Sequence, residues 1–340
     1  MPSRLHLVRP NSTVTQGGAP EITGVSGTVS HGNSITISGS GFGTRADYGG
    51  TTDFLCAGFS DLNAVGLSGE TTNIEWNISA QAEYANQWTA QSTSPRVTGK
   101  NFIRRVNSDQ NNYEGGGDIG IDPQTGSTWF ISWWMRLATA ADQQSGKFFR
   151  IYGSATNIYL SAGGENMYLR GYAEYTDPGV YPVYTSPDVF GNETWQRVDI
   201  AMSQDPDWFK VYIDGALQWQ KSSTLPPSGD HQEDQWVENP FGQGSVGIGG
   251  YLDAGFRGYG VDGKYDFDDL FIDYTWARIE LGNASTWAGS THREVQLPTA
   301  WADGSITAQV NTGSFSSGTA YLYVVNSSGL VSPGYSVTVS

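Results

Sequence analysis

Residues 194–217 read TWQRVDIAMSQDPDWFKVYIDGAL. Val198, Ile200 and Met202 alternate with polar neighbours, the two-residue period of a strand with one face on a core. Asp205-Pro206-Asp207 interrupts the run, and Asp214-Gly215 closes its second half as a turn. The stretch is therefore a pair of strands. Working outward, the same alternation recurs in WFISWWMRL at 129–137, KFFRIY at 147–152, MYLRGY at 167–172 and YDFDDLFIDY at 265–274. No 12-residue window carries a helical apolar stripe closed by caps. Short alternating runs between Gly, Asn, Asp and Ser turns predict an all-β sandwich or barrel.

Composition agrees with this reading. The 340 residues contain 44 Gly, 12 Trp and 18 Tyr, with only 15% charged residues against about 25% in an average domain. Such a chain has the aromatics to build cores and is long enough for about two domains. The net charge of −16 disfavours nucleic acid as a partner, because a general grip on phosphates needs a basic surface. A lone cysteine, Cys56, excludes a disulfide framework and a cysteine-built zinc site. No run approaches ~18 apolar residues, so membrane insertion is not expected, and the N-terminus has no apolar signal-peptide core.

The two ends of the chain match each other. Residues 20–44, PEITGVSGTVSHGNSITISGSGFGT, predict strands at Glu21–Val25 and Ser34–Ser38. Strands are also predicted at 277–283, 305–311, 319–325 and 334–340. The Gly-Asn turn followed by SITISGSGFG resembles the opening of an IPT/TIG domain, an Ig-like sandwich, and TAYLYVVNSSG at 319–329 is similar to its closing hairpin. The middle of the chain resembles the laminin-G or concanavalin-like jelly roll, through the W-x-x-V … V-Y-I-D-G hairpin at 195–215 and the strand at 265–274. The resemblance implies a jelly-roll sandwich at 46–275 inserted into an Ig-like sandwich made of 20–45 and 276–340. Residues 1–19 form an N-terminal arm that holds Arg4, His6 and Arg9 and no acid.

Strand alternation nominates a binding face. If Trp133, Met135, Phe149 and Leu169 point into a core, then Trp134, Arg136, Arg150, Tyr152, Tyr168, Arg170 and Tyr172 occupy the other phase. Aromatic faces stack on sugar rings and Arg pairs with carboxylates or sulfates in a bidentate fashion. The alternative is an ordinary solvated sheet face. A second cluster is acidic: Asp266 and Asp268 share a strand face and Asp269 takes the other. Crowded carboxylates repel unless a cation or an Arg joins them. The resemblance implies a structural Ca²⁺ here, with Asp53 and Asp47 near the first strand; surface acids are the alternative. His231, flanked by Glu233, Asp234 and Glu238, sits in a polar loop.

No paired-carboxylate strand, lyase strand motif, G-x-S-x-G, H-E-x-x-H or Walker loop is present, so no catalytic reading leads. The resemblance implies a non-catalytic, lectin-like glycan-binding head on a bacteriophage virion surface protein, as a capsid decoration or tail-fibre component. Residues 1–18 would dock on other virion subunits in a homo-oligomer. An extracellular bacterial glycan-binding protein is the second reading, and a polysaccharide lyase or glycoside hydrolase the third.

Overall fold

The computed structural model describes residues 18–45, 54–57, 88–93, 95–98, 102–106, 119–121, 128–137, 145–152, 156–163, 168–175, 180–186, 189–190, 193–204, 207–222, 246–253, 264–273 and 275–340. Among these the secondary structure is all β, and no helix is long and apolar enough to cross a membrane. The chain forms two sandwiches, a jelly-roll type inserted into an Ig-like one.

The Ig-like sandwich draws on both chain ends. It comprises β1 (Glu21–Ser26), β2 (Ser34–Ser40), β17 (Arg278–Gly282), β18 (Arg293–Ala302), β19 (Ser305–Gln309), β20 (Gly318–Val325) and β21 (Tyr335–Val339), in the order β1-β2-β19-β18-β17-β20-β21. Ile35 and Ile37 of β2 pack in one core with Ile279, Leu281, Ile306, Ala320, Leu322 and Val324. The glycines after β2 let the chain turn sharply. Gly41 and Gly43 sit at φ 70° and 73°, in the left-handed region that favours glycine. A Cβ on Gly39 would strike the Glu21 carbonyl and the Phe42 ring.

β18 was not anticipated from sequence, and it joins the two halves of this sandwich. Residues 293–296 pair with β17, and residues 297–302 pair with β19, with the register shifting between Pro298 and Ala300. Proline reads as a strand breaker because it donates no ladder hydrogen bond. Here it sits at the irregularity where the strand passes from one sheet to the next.

The jelly roll has two sheets. The eight-stranded sheet contains β14 (Ala216–Ser222), β13 (Asp207–Ile213), β12 (Gln196–Gln204), β7 (Thr128–Leu137), β16 (Lys264–Asp273), β5 (Phe102–Val106) and β4 (Trp88–Gln91) in that order, with β3 (Phe54–Ala57) also on β16. The six-stranded sheet runs β11 (Val180–Ser186), β10 (Tyr168–Tyr175), β9 (Thr156–Gly163), β8 (Ser145–Tyr152), β15 (Val246–Asp253) and β6 (Ile119–Ile121). Trp133 of the first sheet stacks on Phe149 of the second at 6.3 Å between ring centroids. The β13–β14 hairpin turns at Asp214 (φ 49°) and Gly215 (φ 78°), where two left-handed residues match the twist of the strands.

Arg45 lies beyond β2 of the Ig-like sandwich, and Asp273 ends β16 of the jelly roll. These two residues clasp each other across the junction at 2.5 Å, both almost fully buried.

Because Ile37 is fully buried in the core shared with β20, Ile37→Ala should cost about 2–5 kcal/mol. Denaturant unfolding would measure it. A loss under about 1 kcal/mol would mean that the N-terminal strands contribute little to this core.

Candidate functional site

In β7 the pleat puts Trp133 and Met135 toward the jelly-roll core and Ser132, Trp134 and Arg136 on the opposite phase. That second phase is not an open groove. Trp134 is 6% exposed and Arg136 8%. The Trp134 Nε1–H donates to Glu294 of β18 at 3.0 Å, and its ring lies 5.0 Å from that of His292. Arg136 donates to Asp266, which Arg104 grips from the neighbouring strand at 2.6 and 2.9 Å. The Arg136 guanidinium also lies over Trp195, 4.7 Å from the ring centroid. A pleat predicts which side chains share a phase; it carries no information about what packs against that phase.

The acidic run of β16 is met by arginine. Asp266 holds Arg104 and Arg136. Arg96 donates to Asp268 at 2.9 Å and also to Asp269 and Glu294. Asp269 does not take the opposite face from Asp268: it sits at φ 45° in a bulge, where the register on β7 shifts between Asp268 and Phe271. The extra residue turns its carboxylate to the same guanidinium. Asp266, Asp268 and Asp269 therefore do not fit a Ca²⁺ cage, because guanidinium groups already occupy the space a cation would need. No group of three or more His, Cys, Asp or Glu suited to a metal occurs among the described residues. Asp53, Asp47, His231, Glu233, Asp234 and Glu238 lie outside the described residues, as do residues 1–17.

Three carboxylates around one guanidinium leave an excess of negative charge. Burial pushes Asp268 up to about 7, the charge of Asp269 adds to this, and Arg96 opposes it only in part. Burial would raise Glu294 as well, but Arg96 and His292 hold it down at about 2.

The neighbouring cluster has the opposite balance. Glu280 of β17, fully buried, accepts from Arg197 of β12 at 2.8 Å, Arg278 at 2.6 Å and Arg293 at 3.1 Å. Arg197 is shared with Asp199 at 2.8 Å and also donates to the Arg293 carbonyl at 2.8 Å. Burial would raise Glu280, and the three guanidinium groups instead hold it far below the usual carboxylate range. Beside the ions, Phe130 and Phe271 of the jelly roll pack on Val295 of β18, flanked by Trp276 and Leu297. The polar phase of the eight-stranded sheet is thus the surface on which the two sandwiches join.

The other five nominated residues lie in the six-stranded sheet. Arg150 of β8 pairs in register with Tyr159 of β9, which pairs with Tyr172 of β10. One row along, Lys147 pairs with Ser161, and Ser161 with Arg170. Tyr152 pairs with Asn157, and Tyr168 with Gly163. Phe149, buried against Trp133, marks the core phase of β8. Lys147 comes into register with Ser161 because the β8–β9 pairing shifts between Lys147 and Phe149. Sequence reading missed Lys147, since nothing in KFFRIY announces the bulge. Tyr159 could have been found from the alternation of NIYLSAG. The expected seven-residue face is therefore divided between two sheets.

No family model and no curated protein matches this chain. Among solved structures it is similar to a cellulose-induced protein, at 17% identity over 55% of this chain and 85% of that one with TM-score 0.40. It is similar to a galectin from Caenorhabditis elegans, at 7% identity over 48% and 94% with TM-score 0.31. A third likeness is to an alginate lyase from Pseudomonas aeruginosa, at 13% identity over 54% and 85% with TM-score 0.36. These likenesses are shallow, and the fold is defined by the strand pairing itself.

Two outcomes test the junction. Glu280→Gln removes one charge from beneath three guanidinium groups and should cost about 3–5 kcal/mol, as breaking a buried ion pair does, read from denaturant unfolding at neutral pH. Because the folded state binds the Asp268 proton more tightly than the unfolded chain, stability should fall as pH rises from about 4 to 7. Glu294 acts oppositely, contributing above about 4.5 and losing that contribution as pH falls toward 2. Unfolding at pH 5 and pH 8 should show the wild type weaker at pH 8 and Asp268→Asn with a smaller difference; an equal difference in both would assign the decline elsewhere.

Proposed function

We propose that the protein is a structural and adhesive surface module whose jelly roll binds a glycan without cleaving it, carried on the Ig-like sandwich as a base. The observation that carries this reading is the register row Arg150–Tyr159–Tyr172, flanked by the row Lys147–Ser161–Arg170. In a chain of net charge −16 these rows gather cations and aromatics on one sheet. Guanidinium groups suit carboxylates or sulfates, and flat rings suit sugar faces. The ligand fitting this pattern is an acidic cell-surface glycan.

We place the module on a virion surface, as a capsid decoration or tail-fibre component, with residues 20–45 and 276–340 as the base and 46–275 as the head. The acid-free segment 1–18 would dock on acidic neighbouring subunits, its charge guiding encounter more than setting affinity. Single sites of this kind bind weakly, since few contacts offset the ordering of a flexible sugar. Many copies on one particle would raise the effective affinity.

A glycan array with multimerised protein tests the reading. Binding to acidic glycans should fall at least tenfold in the Arg170→Ala, Tyr172→Ala double variant. Trp134→Ala should instead lower thermal stability. Array binding unchanged by the double variant, or release of unsaturated or reducing sugars from any bound polysaccharide, would overturn it.

A further inference from the structure

A cavity of about 230 Å³ opens where β12 and β13 of the jelly roll meet β17 and the segment after β20. At about 30 Å³ per water, it has room for roughly seven waters, the scale of one sugar ring. Its wall holds three cations, Lys210, Arg278 and Arg293, against a single carboxylate, Asp199, which is already engaged by Arg197. Tyr212, Trp276 and Trp287 supply aromatic surface.

The two arginines are held in place by protein. Arg278 uses Nε on Glu280 and Nη1 on the Trp276 carbonyl. Arg293 uses Nε on Glu280 and Nη1 on the Trp287 and Ser290 carbonyls. The Nη2 group of each donates to no protein acceptor among the described residues. Their aromatic supports fix them further: Arg278 lies 3.9 Å from the Phe130 ring centroid and Arg293 4.1 Å from that of Trp287. Gly215 lets the Arg293 guanidinium lie close against the β13–β14 turn, since a Cβ there would strike it. Guanidinium groups that line a cavity and are held through Nε and Nη1 form a rigid receptor for a planar anion. Cavities at domain junctions with a few convergent polar groups are where small ligands bind.

We propose that this junction cavity binds one carboxylate-bearing sugar unit, its carboxylate received by Arg278 and Arg293 and its ring set against Tyr212 and Trp276. The site stands on its own residues and is separate from the six-stranded sheet. Because both sandwiches line it, occupancy would also strengthen their union.

The test is a titration of the full chain with glucuronic acid, glucose and acetate, followed by tryptophan fluorescence and ligand-observed NMR. Glucuronic acid should bind at least tenfold more tightly than either glucose or acetate. Arg278→Gln should abolish that preference. Since this variant also disturbs Glu280, Ser328→Trp serves as the second: Ser328 lines the cavity and touches no ion pair, so the variant should fold with wild-type thermal stability and lose glucuronic acid binding at least tenfold. Ser328 belongs to the cavity and not to the six-stranded sheet, so loss of binding in Ser328→Trp separates this site from the sheet. No glucuronic acid binding, acetate or glucose binding equally well, or full binding by Ser328→Trp would each overturn the proposal.

Discussion

Glu280 is the one carboxylate on which Arg197, Arg278 and Arg293 converge. A carboxylate taken out of water is costly unless its charge is matched and its lone pairs are filled. Three guanidinium groups satisfy both demands, and they come from both sandwiches: Arg197 from the jelly roll, Arg278 and Arg293 from the Ig-like part. The interaction therefore binds two independently patterned cores into one molecule. Ile279 and Leu281 on either side of Glu280 face the Ig-like core, so one five-residue strand serves a hydrophobic interior and an ionic junction on alternate residues.

The junction has two poles. Around Arg96, three carboxylates share one guanidinium; around Glu280 and Asp199, three guanidinium groups share two carboxylates. The poles are coupled, since Arg197 also lowers Glu294 and Trp134 bridges to the same acid. An arrangement of this kind is sensitive to register, because a shift of one residue would face like charges with like. An apolar patch of Phe130, Phe271 and Val295 adds burial without direction, while the ions specify how the sandwiches meet. The cationic pole reaches the cavity between them, so the same arginines that hold the sandwiches together also supply the cavity with donors.

Much of the fold was legible because strand formation is a local matter. The alternation in 194–217, the Asp214-Gly215 turn and the strands at both chain ends each rest on a few adjacent residues. Three features were not. β18 contains Pro298 and lacks clean alternation, because it changes sheets part-way and so changes which side chains face a core. The bulges at Asp269 and near Lys147 each insert one residue, which moves every later side chain to the other phase. Of the nominated site, Arg150, Tyr152, Tyr168, Arg170 and Tyr172 fall in the ordered rows of one sheet, whereas Trp134 and Arg136 are spent on the buried side of another.

The amino-acid sequence by itself determined the all-β class, the acidic balance, the hairpin turn and the two-residue phase of most strands, because each follows from neighbours within a few residues. Only the tertiary structure decided what covers those phases. Trp134 meets Glu294 across 160 residues of chain, and Arg197 meets Glu280 across 83. A side chain's phase is set by the local pleat, but whether that phase faces water, sugar or another domain is set by contacts that only the folded chain brings together.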